Sequence, residues 1–452
     1  MGVHPFTTYV LRKYYQATGW NEDNLFSNLT RSSDALLDFS VPKGLQLSIS
    51  KAPNALFRTA YAMNALPSLN GSVGYMFSSC PLDLKNSGDV RFKDVVERFM
   101  VFGVPKKPEG KSEEWLAGRR VDTRDYLLSG LFYIPSGQLD AFYTTRWSAT
   151  TQASIACILM PPTSPTPGAN APSSLNSSDA MLVSLQHDTG RWGTEYTLQT
   201  EPGGSMIGIR TLRNFGKAGY ADDSGGAGGE GPSSLKRVDE EDAMEGGLKG
   251  RLSAGAELYL STEKSAGGSP SPTSQMLVSA GIRFTTVPDS VLASNASTSY
   301  TQPPTTITAT FTPITGHFSA AYAAKVSRDL ALCSRFVFNI NSYESEWCMG
   351  GEWWLRRKKP VCLDATLAPP ELLPATPLAL SESENAEPLT YKPTDEIQGV
   401  VKARLSTTSV IAVMWEGRIR NALVSCGVMS NLTNRSKPIT AVGLELAYFS
   451  SE

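Results

Sequence analysis

The last apolar-alternating stretch puts the tightest limit on what this chain folds into. Residues 436–449 read SKPITAVGLELAYF and lie close to residue 452. Val442, Leu444, Leu446 and Tyr448 recur at period two, with Gly443, Glu445 and Ala447 between them. That alternation is a β-strand with one apolar face and one face that accepts a carboxylate. A terminal strand leaves a row of unpaired backbone donors and acceptors unless another strand closes on it. In a barrel the first strand is that partner, and the edge disappears.

The same pattern recurs upstream. Strand candidates fall at 43–51, 56–65, 70–78, 125–134, 137–147, 151–159, 180–188, 191–200, 203–212 and 248–262. They continue at 274–286, 305–312, 316–325, 330–339, 343–355, 398–405, 408–416, 419–429 and 437–449, which makes nineteen. Most have the length that crosses hydrocarbon at a barrel-like tilt, about nine to eleven residues. In 330–339, Leu332, Phe336 and Phe338 oppose Arg335 and Asn339, as apolar-out, polar-in wall strands require. Aromatics near segment ends, among them Phe77, Tyr133, Trp147, Trp192, Trp353, Trp354 and Tyr448, read as interfacial girdles. The expected class is an all-β transmembrane β-barrel.

Composition agrees. Charged residues are 19% of the chain, below the roughly 25% of ordinary soluble domains. No run of eighteen apolar residues occurs, so helical spans are not expected. The formal charge of −2 gives no broad nucleic-acid footprint. The N-terminal MGVHPFTTYVLRKYYQ has no basic region followed by an apolar core, so a secretory leader is not expected, and His4 and Pro5 argue against a myristoylated Gly2. The six scattered cysteines contain no CxxC and fit a reducing compartment.

Two segments outside the strands read as helical. In 6–18, Phe6, Val10 and Tyr14 share a face and Gly19 is a C-cap, so a helix that packs, lines or plugs the barrel is expected. Residues 20–34 read as polar turns. In 89–103, Phe92, Val95, Val96, Phe99 and Phe102 fall mostly at helical spacing before Pro105. The division is then an N-terminal helix and lead-in segment over 1–34 and a barrel over 35–452. The barrel carries insert loops at 79–124, 161–179, 217–246, 288–303 and 357–397. The basic patch Arg356-Arg357-Lys358-Lys359 is a solvated strand exit or a contact for phospholipid heads.

No constellation for catalysis stands out. His4, His187 and His317 lie in no metal-ligand spacing, and GxSxG and GxxxxGK[ST] are missing. Carboxylate pairs such as Asp222-Asp223 sit in low-complexity sequence. The expectation is a protein with no catalytic residues, no cofactor and no metal. A conducting pore, a docking platform and a soluble all-β protein remain open on this reading.

Residues 14–54, YYQATGWNEDNLFSNLTRSSDALLDFSVPKGLQLSISKAPN, closely resemble the fungal mitochondrial distribution and morphology protein ten family. So do NGSVGYMFSSCPLDL at 70–84 and the tail around 437–449. The resemblance implies a porin-like barrel of nineteen strands, first and last parallel, in the mitochondrial outer membrane. It implies two sets of partners. One is the endoplasmic reticulum–mitochondria encounter structure, with its lipid-transfer proteins and ER-anchored subunit. The other is the sorting and assembly machinery, with its central assembly barrel and peripheral receptors. Outer-membrane phospholipid is implied too, and nucleic acid is not. A solute or ion channel is the alternative. The family's C-terminal insertion signal maps onto Gly443, Leu446 and Tyr448, with Phe449 adjoining. Its polar position falls on Ala441, a departure. Tyr75 and Phe77, on one face of the third strand, are candidate partner contacts, and Phe284 is a weaker one.

Overall fold

The structure is a computed structural model. It describes residues 5–102, 115–116, 119–120, 125–161, 179–215, 250–263, 273–286, 303–357, 396–433 and 435–451. The inserts expected at 161–179, 217–246, 288–303 and 357–397 lie almost wholly outside the described residues, as do Lys358 and Lys359.

Nineteen strands form one sheet closed on itself. They are β1 Gly44–Ala52, β2 Phe57–Leu66, β3 Asn70–Ser78, β4 Tyr126–Ile134, β5 Leu139–Arg146, β6 Thr151–Leu159 and β7 Ala180–Asp188. Next come β8 Trp192–Glu201, β9 Gly204–Phe215, β10 Gly250–Glu263, β11 Thr273–Thr286, β12 Thr305–Thr312 and β13 His317–Lys325. The last six are β14 Leu330–Asn339, β15 Ser345–Arg357, β16 Glu396–Ser406, β17 Val410–Ile419, β18 Ala422–Asn431 and β19 Ile439–Ser451. Each pairs antiparallel with its sequence neighbour, and β1 pairs with β19 in parallel from Gly44↔Gly443 to Ala52↔Ser451. Nineteen strands take eighteen antiparallel steps, an even number of reversals, so the last strand points the way the first does and the closing pair must be parallel. The expected count and closure are borne out.

The barrel is inside out relative to a soluble sheet. On β11, Ile282 is 51% exposed while the next residue, Arg283, is 1% exposed. Tyr322, Leu332, Phe336, Val413 and Val442 likewise face outward, while Thr144, Gln152, Glu352 and Lys402 are buried inward. An outward arginine at a bilayer midplane costs about 2–4 kcal/mol, so this polarity is the one lipid selects. Trp147, Trp192, Trp353 and Tyr448 are exposed near strand ends, as a girdle requires. Two of the expected girdle residues are not. Trp354 is buried in the lumen, and Tyr133 alternates with exposed Phe132 and Ile134 and faces inward.

The chain ahead of β1 fills the lumen together with residues 79–102. Helix α1 spans Pro5–Thr18, two single 3-10 turns follow at Glu22–Asn24 and Phe26–Asn28, and α2 spans Arg31–Leu37. The 20–34 stretch is therefore more regular than its polar composition implies. The helix expected over 89–103 shrinks to α3, Phe92–Val95. Its apolar residues are buried as the spacing predicts, but most of its backbone bonds elsewhere. Arg12 Nη1 donates to the carbonyls of Asp94 and Val95, and Lys402 Nζ donates to that of Glu97 at 2.6 Å. Phe99 N donates to the Glu352 carboxylate at 3.2 Å. Arg12 of α1 and the wall groups Lys402 and Glu352 take the place of i→i−4 partners.

Candidate functional site at the closing seam

The seam opens on two glycines. Gly44 has φ +70°, and a Cβ there would lie 2.0 Å from the Leu66 carbonyl oxygen. Opposite it, a Cβ on Gly443 would lie 2.4 Å from the Pro42 carbonyl oxygen. Only glycine allows that approach, because the chain leaves the lumen for the wall at this point. Leu446 lies between Leu47 of β1 and Val424 of β18. It shares the outer face with Tyr448, which is exposed. Phe449 is the odd member of the expected signal: it is 2% exposed and points into the lumen.

There Phe449 meets α1. Its ring lies 5.4 Å from that of Phe6 and 5.6 Å from that of Tyr9, the second pair stacked. Each such pair contributes about 0.5–1.5 kcal/mol beyond area burial. The expected apolar face of α1 is thus used against the last strand, with Val10 and Tyr14 in the same cluster. Beyond the end of β18 the edge of β19 is bare of strand partners. Ser87 N donates to the Phe449 carbonyl at 2.9 Å, and Ser451 N donates to Asn86 Oδ1 at 2.7 Å. Ser87 Oγ also donates to the Asn421 carbonyl. The 79–102 excursion therefore covers the exposed end of the closing strand.

Residues 24–42 run along the inner wall as a belt, crossing strands in order. Asn24 bonds Asp188 and Gly190 between β7 and β8. Phe26 and Leu29 pack with Leu212, and Leu36 and Leu37 pack with Ala323, Cys333 and Cys348. Phe39 and Val41 pack with Ala412, Met414 and Ala441. Inward glycines make room along the track. A Cβ on Gly193 would strike Asn24, on Gly255 Phe26, on Gly281 Leu29, on Gly350 Leu37 and on Gly443 Pro42, and one on Gly427 would press on Val41 at 3.0 Å.

Wall cations hold the belt and plug by their backbone ends. Arg404 Nη1 donates to the Leu37 carbonyl at 2.7 Å, where α2 ends with unpaired carbonyls and negative dipole. Arg283 Nη1 donates to Asn28 O at 3.2 Å, and Arg418 donates to Gly88 O and Val90 O. Arg335 forms a two-pronged pair with Asp38, both contacts 2.7 Å, and reaches Asp34 at 3.2 Å. Burial pushes the Asp38 carboxyl up, but the hydrogen bonds and charge of Arg335 outweigh it and hold the group below its usual range. Asp34 goes the other way, raised chiefly by burial. These anchors were not singled out in sequence. The inward position of Arg335 opposite Phe336 was the available signal, and the belt it anchors was not.

The candidate partner contacts sit elsewhere on the barrel. Tyr75 is 48% exposed on the outer face, and its ring covers Gly130 of β4. Phe77 lies on the same face, 6.0 Å from Tyr126. Phe284 is on the outer face of β11 between Leu252 and Ile307, around the barrel from β3. The structure does not bring the three together. Among the described residues no three His, Cys, Asp or Glu side chains gather as a metal site.

A nineteen-stranded sheet closed by parallel first and last strands, apolar outside and occupied within by its own N-terminal chain, defines a closed β-barrel rather than a two-sheet sandwich. The family model described as Mitochondrial distribution and morphology protein 10 matches residues 3–371 and 376–451. The chain belongs to that family. It is 54% identical to the protein of that name from Laccaria bicolor, over 100% of both chains. It is 56% identical to the one from Postia placenta, over 99% of this chain and 100% of the relative. The Cryptococcus neoformans protein is 41% identical, over 98% and 99%.

Proposed function

We propose that this protein is a non-catalytic scaffold in the mitochondrial outer membrane. In this reading the barrel anchors the ER–mitochondria encounter structure, supporting tethering and phospholipid exchange. It also assists the sorting and assembly machinery in inserting other barrels, and mitochondrial shape and inheritance follow. Family membership over the whole chain supports the mitochondrial part, and the apolar exterior supports residence in lipid. The observation that carries the choice of scaffold over solute channel is the occupied lumen. Wall cations bind the plug through its backbone, and each charge-assisted bond is worth roughly 1.5–3 kcal/mol. A pore built to pass solutes has no use for so many fixed internal contacts.

Within this reading Gly443, Leu446 and Tyr448 form the insertion signal, with Phe449 beside them securing α1 once the barrel closes. Tyr75, Phe77 and Phe284 offer aromatic surface to membrane-embedded partners.

Two measurements on one preparation test the proposal. After gentle detergent extraction, the protein should retain subunits of both assemblies, and in planar bilayers it should give no large solute-selective conductance. A large gated conductance with no bound subunits would favour the channel and overturn the scaffold.

A further inference from the structure

Between the plug and the β13–β14 rim lies a cleft in which positive charge outnumbers negative. Lys93 and Arg98 enter from the plug, and Lys325 and Arg328 from the wall and its turn. Two carboxylates share the lining, Asp329 and Glu352. Both are already engaged. Asp329 is paired with Arg356 Nε, and Glu352 accepts from Phe99 N and from Trp354 Nε1 at 3.1 Å. Among the described residues, Lys93 and Lys325 have no carboxylate within salt-bridge distance, and the Lys93 ammonium rests 5.7 Å from the Trp354 ring centroid. Burial, then the like charges of Arg98, Lys325 and Arg356, pull Lys93 below the ordinary lysine range. Two ammonium groups therefore face one cleft whose lining carboxylates are both engaged elsewhere.

The cleft's position narrows the ligand. Lys325 ends β13, and Val326 just beyond it is exposed. Trp353, opposite Leu330 in the β14–β15 ladder, is 58% exposed on the outer face. Outward aromatics at strand ends mark the level of lipid headgroups.

We propose that this cleft binds a phosphate anion, with the phosphate of an acidic glycerophospholipid as the presented form and a soluble phosphate as the other source. Lys93 and Lys325 act as the two free ammonium donors, and Arg98 and Arg328 supply the surrounding field. A neutral-headgroup lipid carries the same phosphate but brings its own cation, which Lys93 and Lys325 repel. The lipid source rests on the membrane reading above, while the anion site itself does not.

The test uses the full chain purified in a non-ionic detergent. Binding of short-chain phosphatidic acid, short-chain phosphatidylcholine and inorganic phosphate is followed by native mass spectrometry and calorimetry. The wild-type protein should bind phosphatidic acid at least about tenfold more tightly than phosphatidylcholine. K93Q combined with K325Q should lose about tenfold or more, and the K93R, K325R pair should restore most of it. Retention of heat-modifiable mobility on gels establishes that each variant keeps its barrel. Tighter binding of inorganic phosphate than of phosphatidic acid, lost in the same variant, keeps the site and assigns it to a soluble ligand. Equal binding of phosphatidic acid by wild type and the Gln variant, or no preference over phosphatidylcholine, overturns the proposal. Either result leaves membrane residence untouched, because residence is measured separately by carbonate extraction.

Discussion

Gly443 has two independent reasons to be glycine. In the proposed function it is the glycine of the insertion signal. The structure makes it the last of six inward glycines beneath the belt, where a Cβ would lie 2.4 Å from Pro42 O. The two reasons separate by mutation. Gly443→Val should release residues 20–43 from the wall, read as new protease cleavage ahead of β1 in whatever protein reaches the membrane. Gly427→Val lies outside the signal but under Val41, and it should do the same while integrating normally. Leu446→Ala touches no belt residue and should leave the belt protected. Protection in both glycine variants would show that the track makes no steric demand. The asymmetry of Phe449 belongs to this scale too. Alternation places Phe449 on the face of Gly443 and Ala447, not that of Leu446 and Tyr448. Its packing against Phe6 and Tyr9 suits a role after closure rather than in recognition.

At the scale of elements, strands were legible and the plug was only half so. Period-two alternation survives because the outer face must be apolar and the inner face meets polar partners. All nineteen segments therefore appear within a few residues of their expected bounds. Helix α1 was legible from Phe6, Val10 and Tyr14 and from Gly19, whose φ is +68°. Residues 92–102 misled, because burial in a lumen obeys the same apolar spacing as burial against a helix face. Only the wall groups Lys402 and Glu352, far away in sequence, decide that the backbone runs extended after Val95. Helix α2 was missed for a related reason: its polar first turn, Arg31 to Asp34, reads as loop until Arg404 and Arg335 are seen to take its far end.

That anchoring has a pH signature. A carboxyl whose folded pKa is depressed adds stability that is fully present above its unfolded value, near 3.9. It is lost as pH falls through the lower folded value. Asp38 is such a group, and Asp34, raised by burial, acts in the opposite sense and protonates first. Below about pH 4, corrected hydrogen exchange over residues 31–41 should therefore accelerate in the wild type. Asp38→Asn should already exchange faster at pH 7 and change less with acid. The side chain of Asp38 is 44% exposed, so the loss at pH 7 should be modest, about 1 kcal/mol or less. Identical pH profiles for the two proteins would contradict the anchor.

The whole molecule is a wall that carries its own filling. The chain enters the lumen first, passes around the inside along a glycine track, and then becomes β1, which must meet β19 in parallel register. That order makes the whole fold depend on the seam, since an open or mispaired seam would expose a strand edge to lipid with no partner for its backbone. The seam is tested most directly by cross-linking at the rim, where an aqueous oxidant has access. Lys51 and Ser450 are register partners across β1 and β19, whereas Ser451 is one residue out and faces the opposite side. In mitochondria, Lys51→Cys with Ser450→Cys should form an intramolecular disulfide under mild copper oxidation, and Lys51→Cys with Ser451→Cys should not. Efficient cross-linking of both pairs, or of neither, would contradict a barrel closed by a parallel first and last strand.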